Sequence, residues 1–378
     1  MNDVIFWTSI PSHHSMGVFA ELSGHRHVLC VCDSLESLRR KNQGWTIPDL
    51  GNIDVWPLDR QTNPDAFVRQ IYRNYPGSVS VISGFHGCRA AELAWKWMPK
   101  KQYPRPLVCC ERPDSNRGIK KWLQTLYYTQ KSYTFGRRIT GLLAIGTLSE
   151  EAYRRFGFPE EKIFPFLYTF SGKTGDLPET ARTSLPIRMV YVGSDVPRKG
   201  IDLLLNAISV FSPKQLRLTL IGTGTDGPNG RGIKRLYETG LVEVRQTVPG
   251  GKMPETLSQY DILILPSRHD GWGMTVTEAL VGGIGVLASG ACGSSELVRS
   301  LDAGMVFSPG SVESIRDSVS YCLTHPDMLD RWKENARQGR SRIMPAAAAE
   351  YLDALIDFLY VQEGIGERPV PPWRTLLL

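Results

Sequence analysis

The sequence has no apolar run near the ~20 residues that a membrane-spanning helix needs. No basic segment precedes its first apolar residues, so we expect no signal peptide. Its seven cysteines form no Cys-x-x-Cys pair; Cys30 and Cys32 alternate and Cys109 adjoins Cys110, which favours reduced, buried thiols over disulfides. There is neither metal-ligand spacing nor an Asp-x-Asp motif, so we expect no metal or cofactor. A cytosolic globular protein is therefore predicted.

The length and composition indicate a globular protein of two domains. The chain has 378 residues, of which 42% are hydrophobic and 22% charged. These fractions are typical of a soluble globular protein, and the length exceeds what one ordinary core contains.

Alternating apolar runs and helical patterns predict an α/β fold with two doubly wound parallel sheets. In the first half, strands are predicted at residues 4–9, 27–32, 79–83, 107–110, 141–145 and 162–167, and helices at 90–98, 119–128 and 150–156. In the second half, strands are predicted at 187–192, 216–221, 242–245, 261–265 and 284–288, and helices at 200–211, 230–237, 275–281, 294–299, 311–323 and 329–340. A polar, turn-rich stretch without periodicity separates the halves and indicates a linker. The predicted divisions are a first domain over 1–168, the linker over 169–186, a second domain over 187–343, and a C-terminal helix and tail over 344–378 that we expect to return to the first domain.

One segment carries the whole positive excess. Residues 112–138 contain seven basic residues and one acidic residue, which equals the net charge of +6 of the chain. Aromatic and aliphatic side chains are interleaved with these charges, a pattern suited to an anionic membrane surface. Candidate contacts with the membrane or acceptor are Arg112, Arg117, Lys120, Lys121 and Trp122. An ordinary amphipathic helix with a solvated basic face would show the same pattern. Nucleic acid would favour the charge, but no recognition motif accompanies it.

The most informative motif is P-S-R-H-D-G-W-G-M-T-V-T-E, residues 266–278. It joins a buried strand to a small-residue helix and so places backbone N–H groups at a helix N-terminus, where anions bind. Asp270 and Glu278 flank the loop eight positions apart. A phosphate site beside two carboxylates suits a ligand with both phosphate and hydroxyl groups, such as a nucleotide sugar.

Four ordered segments of the second half resemble one enzyme family. They are residues 190–202, I-G-T-G at 221–224, the loop just described, and the segment that begins A-S-G-A-C-G-S-S-E at Ala288. Together they resemble the retaining "glycosyl transferases group 1" family, whose GT-B architecture has two facing Rossmann-like domains with a cleft between them. The resemblance covers roughly 187–340, and the first domain only through its alternation pattern.

The resemblance assigns donor-binding roles. In the family's glutamate-x7-glutamate motif, Glu278 matches the second glutamate, which binds the donor ribose. Asp270 replaces the first glutamate, which contacts the transferred sugar, so its shorter reach bears on sugar identity. Lys199 matches the lysine that faces the diphosphate. The family's arginine after the strand glycine is replaced by Ser194, and Arg198 or Arg268 are candidates to compensate. Further donor-binding candidates are Gly17, Gly193, Gly222, Gly224, Gly271, Trp272, Gly273, Met274 and Thr275. Solvated or purely structural roles stay open for Lys199, Glu278, Gly222 and Gly224.

The first domain is expected to supply acceptor and catalytic groups. Glu111 follows the strand at 107–110, where an acid faces the ligand crevice of a doubly wound sheet. Related enzymes carry a histidine near that point, which this chain lacks. His86 follows the strand at 79–83, and His13 and His14 lie in the loop before Gly17. We name Asp270, Glu111 and His86 as catalytic candidates, although a loop histidine is often only a surface residue.

The resemblance implies a retaining glycosyltransferase that moves a sugar from a nucleotide diphosphate sugar to an acceptor hydroxyl. It implies front-face departure and attack without a dedicated nucleophile or metal ion. The basic-aromatic segment suggests a lipid-linked oligosaccharide or glycolipid acceptor at the inner face of the cytoplasmic membrane, in bacterial surface polysaccharide synthesis. The alternatives are a nucleotide-sugar epimerase or hydrolase of the same fold, and a non-catalytic partner subunit.

Overall fold

The computed structural model describes residues 3–36, 47–99, 104–113, 119–172 and 184–374, with the side chains of 119–121 and of 250 excepted. The chain divides into two compact units. The first comprises Met1–Ser171 and Pro345–Pro372, and the second Gly172–Met344 and Trp373–Leu378. Residues 173–183 of the predicted linker lie outside the described residues. The tail is predicted to accompany the first domain, but its described residues Trp373 and Arg374 belong to the second unit, and Trp373 is fully buried.

Within the described residues, the first unit contains a seven-stranded parallel sheet in the order β3-β2-β1-β4-β5-β6-β7. Its strands are β1 Val4–Thr8, β2 Val28–Cys32, β3 Asp54–Pro57, β4 Val79–Ser83, β5 Leu107–Cys110, β6 Gly141–Ile145 and β7 Ile163–Phe166. Its helices are α1 Met16–Leu22, α2 Pro64–Asn74, α3 Arg89–Trp97, α4 Ile119–Phe135 and α5 Thr147–Arg155. The elements β3, α1 and α2 were not predicted from the sequence. The residues of β3 are partly exposed, so β3 lacks the continuous apolar run of a buried parallel strand.

The second unit contains, among its described residues, a six-stranded parallel sheet in the order β10-β9-β8-β11-β12-β13. Its strands are β8 Ile187–Val192, β9 Leu216–Ile221, β10 Val242–Arg245, β11 Ile262–Leu265, β12 Gly285–Ser289 and β13 Gly304–Phe307. Its helices are α6 Ile201–Ile208, α7 Gly230–Glu238, α8 Met253–Leu257, α9 Met274–Val281, α10 Ser295–Ser300, α11 Val312–Thr324 and α12 Pro326–Gly339. β13 and the short α8 were not predicted. The two sheets confirm the predicted pair of doubly wound, Rossmann-like folds.

The strand orders fix where each unit can bind a ligand. Chain order reverses beside β1 and β4 in the first sheet and beside β8 and β11 in the second. At such a switch point the loops that follow the two strands diverge to opposite faces and leave a crevice at the carboxyl edge of the sheet. The chemistry-bearing loops should therefore be those after β1, β4, β8 and β11.

Helix α13, Pro345–Ile356, continues the chain after the second unit but packs against α1 of the first. The buried guanidinium of Arg26 binds the carboxylates of Asp353 and Asp357. These ion pairs, together with the fully buried Leu352 and Leu355, fix the returning helix on the first sheet. Within the described residues, no helix is both long and apolar enough to cross a membrane.

A buried charge cluster joins the central strands of the second sheet at their amino ends. Asp261 accepts the backbone N–H of Arg188 at 2.8 Å and its guanidinium at 3.0 Å. The ammonium of Lys333, itself 2% exposed, lies 2.9 Å from the same carboxylate. Burial works to raise the pKa of Asp261, but the bonds from Arg188 and Lys333 outweigh it and lower that pKa. The cluster lies at the edge opposite to the ligand crevice and is therefore structural.

All seven cysteines lie in the described residues and none is in a disulfide, as predicted.

Candidate functional site

The loops after β8 and β11 bring a lysine and an aspartate together at the switch point of the second unit. Lys199 Nζ lies 2.6 Å from Asp270 Oδ2, and both side chains are nearly buried, at 13% and 12% exposure. Arg198 Nη1 lies 3.7 Å from the same oxygen and is half exposed. Three predicted donor-site residues thus form one charge cluster with two cations and one anion, which leaves a net positive site.

Arg268 holds the loop after β8 in place. Its guanidinium makes two bonds to the carboxylate of Asp202, at 2.6 and 2.7 Å, and one of 2.9 Å to the carbonyl of Pro197. Its backbone N–H donates to the Arg198 carbonyl at 2.8 Å. These three side-chain bonds brace the loop that carries Lys199. The role of Arg268 as a compensating donor contact stays a prediction.

The same loop is held on its other side by the loop after β9. Asp195 accepts the backbone N–H of Asn229 at 2.8 Å and its side-chain amide at 2.6 Å. In that loop Gly222 has φ = +82°, a conformation that favours glycine, whereas Gly224 shows no such requirement. Gly193 follows β8 directly and donates its N–H to the carbonyl of Ile221. These predicted donor glycines therefore shape the crevice through backbone turns.

The N-terminus of α9 opens into this crevice. Its N-cap position is Gly273, at φ = +94°, which has no side chain to cap the helix. The first-turn N–H groups of a helix need partners from outside it, and an anion can supply them. Thr275 Oγ1 is buried and has no hydrogen-bond partner among the described residues. The Val276 N–H already bonds the Gly273 carbonyl at 3.0 Å. The Thr275 hydroxyl and the other amides of the first turn can donate to an anionic or hydroxyl-bearing ligand.

Glu278 lies one turn further along α9 and is 9% exposed. Burial raises the pKa of its carboxyl to about 7, and the charge of Lys199 opposes that rise. A buried carboxyl of this kind is poised between an acceptor and a donor of hydrogen bonds at neutral pH. Hydrogen bonds with ligand hydroxyls would stabilise this carboxyl, as the ribose role implied by the family resemblance requires.

The remaining loop residues form the floor of the site. Trp272 is buried, and its indole N–H donates to Thr277 Oγ1 at 3.0 Å, so only the backbone of Trp272 can serve a ligand. Ser294 Oγ donates to the Trp272 carbonyl at 2.7 Å and lies 3.1 Å from that of Gly273. Gly271 and Met274 are partly exposed in the same loop. The sequence did not predict that Ser294 and Asp202 brace these loops, because no local pattern indicates a hydrogen bond to a residue far away in the chain.

The catalytic candidates of the first unit line two adjoining open cavities at the carboxyl edge of its sheet. One, of about 650 Å³, is lined by His86 and Glu111. The other, of about 670 Å³, is lined by His14, Ser15 and Glu111. Ser83, Cys109, Glu111 and Tyr168 line both. The structure therefore brings His86 and Glu111 to one place and leaves Asp270 in the other unit.

The His86 loop is fixed by its neighbours. Asp33, after β2, accepts the N–H groups of Arg89 and Ala90 at the start of α3, at 3.1 and 2.6 Å. Burial and the charge of Lys131 lower the pKa of His86, which favours a neutral imidazole at neutral pH. Burial and the charge of Glu111 raise the pKa of Tyr168.

Gly17 has a packing role inside α1. A Cβ at this position would lie 2.5 Å from Ser171 Cβ and 3.0 Å from Pro345 Cγ. Because glycine has no side chain, the chain segments that contain Ser171 and Pro345 can pack closely against α1. The preceding loop is tied to the same crossing: Ser171 Oγ donates to the His13 carbonyl at 2.5 Å, and the Thr169 N–H donates to the His14 carbonyl at 3.1 Å. This packing gives a structural reason for the glycine, and the donor contact that the resemblance implies for Gly17 stays a prediction.

The predicted membrane segment is partly described. Arg117 lies outside the described residues, and Lys120 and Lys121 lie in α4 with only their backbone described. Arg112 is half-buried. Trp122, Leu123 and Leu126 are 63%, 52% and 54% exposed on α4. Among the described residues, no group of three or more His, Cys, Asp or Glu side chains is arranged to hold a metal ion.

Comparison with known proteins finds one family model that matches most of the second unit. Residues 178–339 match the model of the family "Glycosyl transferases group 1", which confirms the resemblance drawn from the motifs. The lipopolysaccharide glucosyltransferase WaaG of Escherichia coli K12 is 29% identical over 154 residues, 39% of this chain and 40% of that protein. The O-antigen chain mannosyltransferase B of Escherichia coli is 27% identical over 201 residues, covering 49% of this chain and 51% of that protein. The chain thus spans about half the length of the curated relatives it matches.

Solved structures share the fold over nearly the whole chain. Anabaena Alr3699/HepE, crystallised with UDP, superposes with a TM-score of 0.69 at 15% identity and covers 94% of this chain and 100% of its own. WaaG superposes with a TM-score of 0.57 at 16% identity, covering 94% of this chain and 99% of its own. At these identities the likeness establishes the fold, two Rossmann-like domains of the GT-B type.

Proposed function

We propose that the protein is a retaining glycosyltransferase of polysaccharide synthesis that takes its sugar from a nucleotide diphosphate sugar. The observation that carries this proposal is the crevice of the second unit. There Lys199 and Arg198, the uncapped N-terminus of α9, the unpartnered Thr275 hydroxyl and the buried Glu278 converge. The HepE structures that hold UDP and UDP-glucose support a nucleotide sugar as the ligand of such a fold.

The roles follow from charge. A diphosphate would bind to the positive N-terminal end of α9 and to the ammonium of Lys199. The same groups would stabilise the negative charge that develops as the diphosphate leaves. Glu278 would accept hydrogen bonds from the ribose hydroxyls. Asp270, which now binds Lys199, would share that cation with the diphosphate and offer its second oxygen to the transferred sugar. In this proposal the cations and the helix supply the stabilisation that a metal ion supplies in other enzymes.

The acceptor side belongs to the first unit. Glu111 lies at the wall common to its two cavities, where a hydroxyl could donate a hydrogen bond to the carboxylate. We propose that departure of the diphosphate and attack by this hydroxyl occur on one face of the sugar, so that the anomeric configuration is retained. The exposed apolar side chains of α4, within the basic segment, favour an acceptor at an anionic membrane surface. The WaaG and O-antigen relatives make a lipid-linked glycan of the bacterial surface the preferred acceptor.

The donor is tested by thermal shift against a panel of nucleotide sugars, since a ligand that binds only the folded state raises its stability. We expect one nucleotide sugar to raise the melting temperature and Glu278→Gln to abolish that rise. The acceptor is tested by release of nucleoside diphosphate with membrane extract and, separately, with soluble sugars. Release only with soluble sugars would reject the lipid acceptor. Release without transfer to any acceptor would instead favour a hydrolase.

A further inference from the structure

Four tyrosines line the 650 Å³ cavity of the first unit, which we call the tyrosine chamber. They are Tyr127, Tyr128, Tyr153 and Tyr168, and the chamber also exposes His86 and Glu111. Tyr127 and Tyr128 come from α4, Tyr153 comes from α5, and Tyr168 follows β7. Three separate parts of the chain therefore converge to place phenol rings beside the carboxyl ends of β4 and β5.

The rings form a connected wall. Tyr127 stands perpendicular to Tyr128, with centroids 5.1 Å apart, and Tyr128 stands perpendicular to Tyr153 at 5.9 Å. The His86 ring adjoins this wall, with its centroid 6.0 Å from that of Tyr127. The hydroxyl of Tyr153 donates to the Glu111 carbonyl at 3.2 Å, which ties the wall to the backbone that carries the acid. Edge-to-face rings fixed by such bonds are a preorganised surface.

The lining selects the chemistry of a ligand. Aromatic faces pack against C–H groups, whereas phenol, imidazole and carboxylate groups at the rim bond to hydroxyls. A pyranose ring offers both, with C–H groups on its faces and hydroxyls around its edge. A phosphate would face the carboxylate of Glu111, and an acyl chain would leave these polar groups without partners. The ammonium of Lys131 lies 5.0 Å from the Tyr127 ring but does not line the chamber, and His86 favours the neutral form. The carboxylate of Glu111 is therefore the one full charge among the described residues of the lining.

We infer that the tyrosine chamber binds a neutral hexopyranose ring of the acceptor. The inference rests on the proposed function and names the part of the acceptor that the first unit recognises. Glu111 lies where the chamber meets the second cavity, so a ring seated on the tyrosines would direct one hydroxyl toward that carboxylate. Recognition of the acceptor is thereby separated from the exposed apolar residues of α4, which would serve the membrane.

The test measures binding of methyl hexopyranosides, which carry no phosphate and no lipid, by saturation-transfer NMR. The variants are Tyr127→Ala, which removes the ring at the chamber mouth, and Tyr127→Phe, which keeps it. Tyr133→Ala is the matched control, because Tyr133 lies on the same helix, is 84% exposed and lines neither cavity. We expect at least one glycoside to bind the wild type and Tyr133→Ala equally. Tyr127→Ala should weaken it by about two- to tenfold, and Tyr127→Phe by less than about twofold.

Two further readings separate this inference from the proposed function. Thermal shift with the nucleotide sugar panel should be the same for Tyr127→Ala and the wild type, because the donor crevice lies in the other unit. If no nucleotide sugar raises the melting temperature while glycoside binding depends on Tyr127, the proposed function is wrong but the assignment of the chamber as a hexopyranose site is supported. If no glycoside binds, or if Tyr127→Ala and Tyr133→Ala lose binding alike, the chamber assignment is wrong even where the donor binds.

Discussion

Lys199 Nζ and Asp270 Oδ2 lie 2.6 Å apart, joining two loops that are 71 residues apart in sequence. Both side chains are largely removed from water, so each charge depends on the other for its compensation. Removal of either charge is therefore expected to destabilise the crevice. A diphosphate that binds Lys199 must either displace Asp270 from the ammonium or share the ammonium with it.

Lys199→Ala should weaken nucleotide sugar binding by about 10- to 100-fold, because a charged hydrogen bond to the diphosphate is lost. It should also lower the free energy of unfolding by on the order of 2 kcal/mol, since Asp270 loses its nearest cation and keeps the longer contacts with Arg198 and Ser267. The double variant Lys199→Ala, Asp270→Asn should recover stability but not binding. Titration calorimetry and urea unfolding measure the two effects; recovery of binding by the double variant would contradict the role of Lys199.

Asp270→Glu should change which sugar is transferred. The longer side chain reaches further toward the sugar hydroxyls, where unpaired or displaced hydrogen bonds discriminate strongly between substrates. We expect the ratio of kcat/KM between two hexose donors to change by roughly tenfold or more, with affinity for the free nucleoside diphosphate nearly unchanged. Asp270→Asn serves as the control of equal length. An unchanged ratio in both variants would show that the sugar is selected elsewhere.

Glu278→Gln should raise stability while it removes donor binding. The folded pKa of about 7 exceeds the ordinary value of 4.5, so the folded state holds a proton that the unfolded state has released. Stability thus falls as pH rises from about 4.5 to about 7 and is level above that. Glutamine cannot ionise, so the variant should gain on the order of 1–3 kcal/mol at about pH 8 and little below pH 4.5. Thermal unfolding at both pH values checks this; equal gains at both would refute the raised pKa.

Arg268→Ala should raise the KM for the donor by about tenfold, since the loop that carries Lys199 loses its brace and small displacements of binding groups are costly. Asp202→Asn should act in the same direction. The matched control is Arg331→Ala, which removes an ion pair of similar length, 2.8 Å to Asp302, on the exposed surface of the same unit. Steady-state kinetics with the donor varied give the answer. A fall in kcat at constant KM would argue against positioning of the donor.

Combined Trp122→Ala and Leu126→Ala substitutions should lower binding to anionic vesicles by at least about tenfold, because apolar surface no longer enters the interface. Tyr237→Ala with Val210→Ala removes side chains of comparable exposure, 56% and 61%, from the second unit and should have no effect. Co-sedimentation with phosphatidylglycerol vesicles in low and high salt provides the measurement. Equal binding by both double variants would leave α4 as an ordinary solvated helix.

The sequence by itself determined the fold class and the position of the crevice in the second unit. Continuous apolar runs mark buried parallel strands, and a glycine-bearing loop between a strand and a helix marks an anion site, so both are local signals. They located β8 to β12 within a residue or so, and they singled out Lys199, Asp270 and Glu278. The half-exposed β3 carried no such signal and was missed.

Only the tertiary structure decided how these groups are held and what surrounds them. It paired Lys199 with Asp270 and Arg268 with Asp202, gave Gly17 a packing role and raised the pKa of Glu278 by burial. It also gathered four tyrosines from three elements into one chamber. Each of these depends on contacts between residues far apart in the chain or on distance from water. Composition and spacing describe neighbours along the chain, and such contacts arise only once the two sheets have formed.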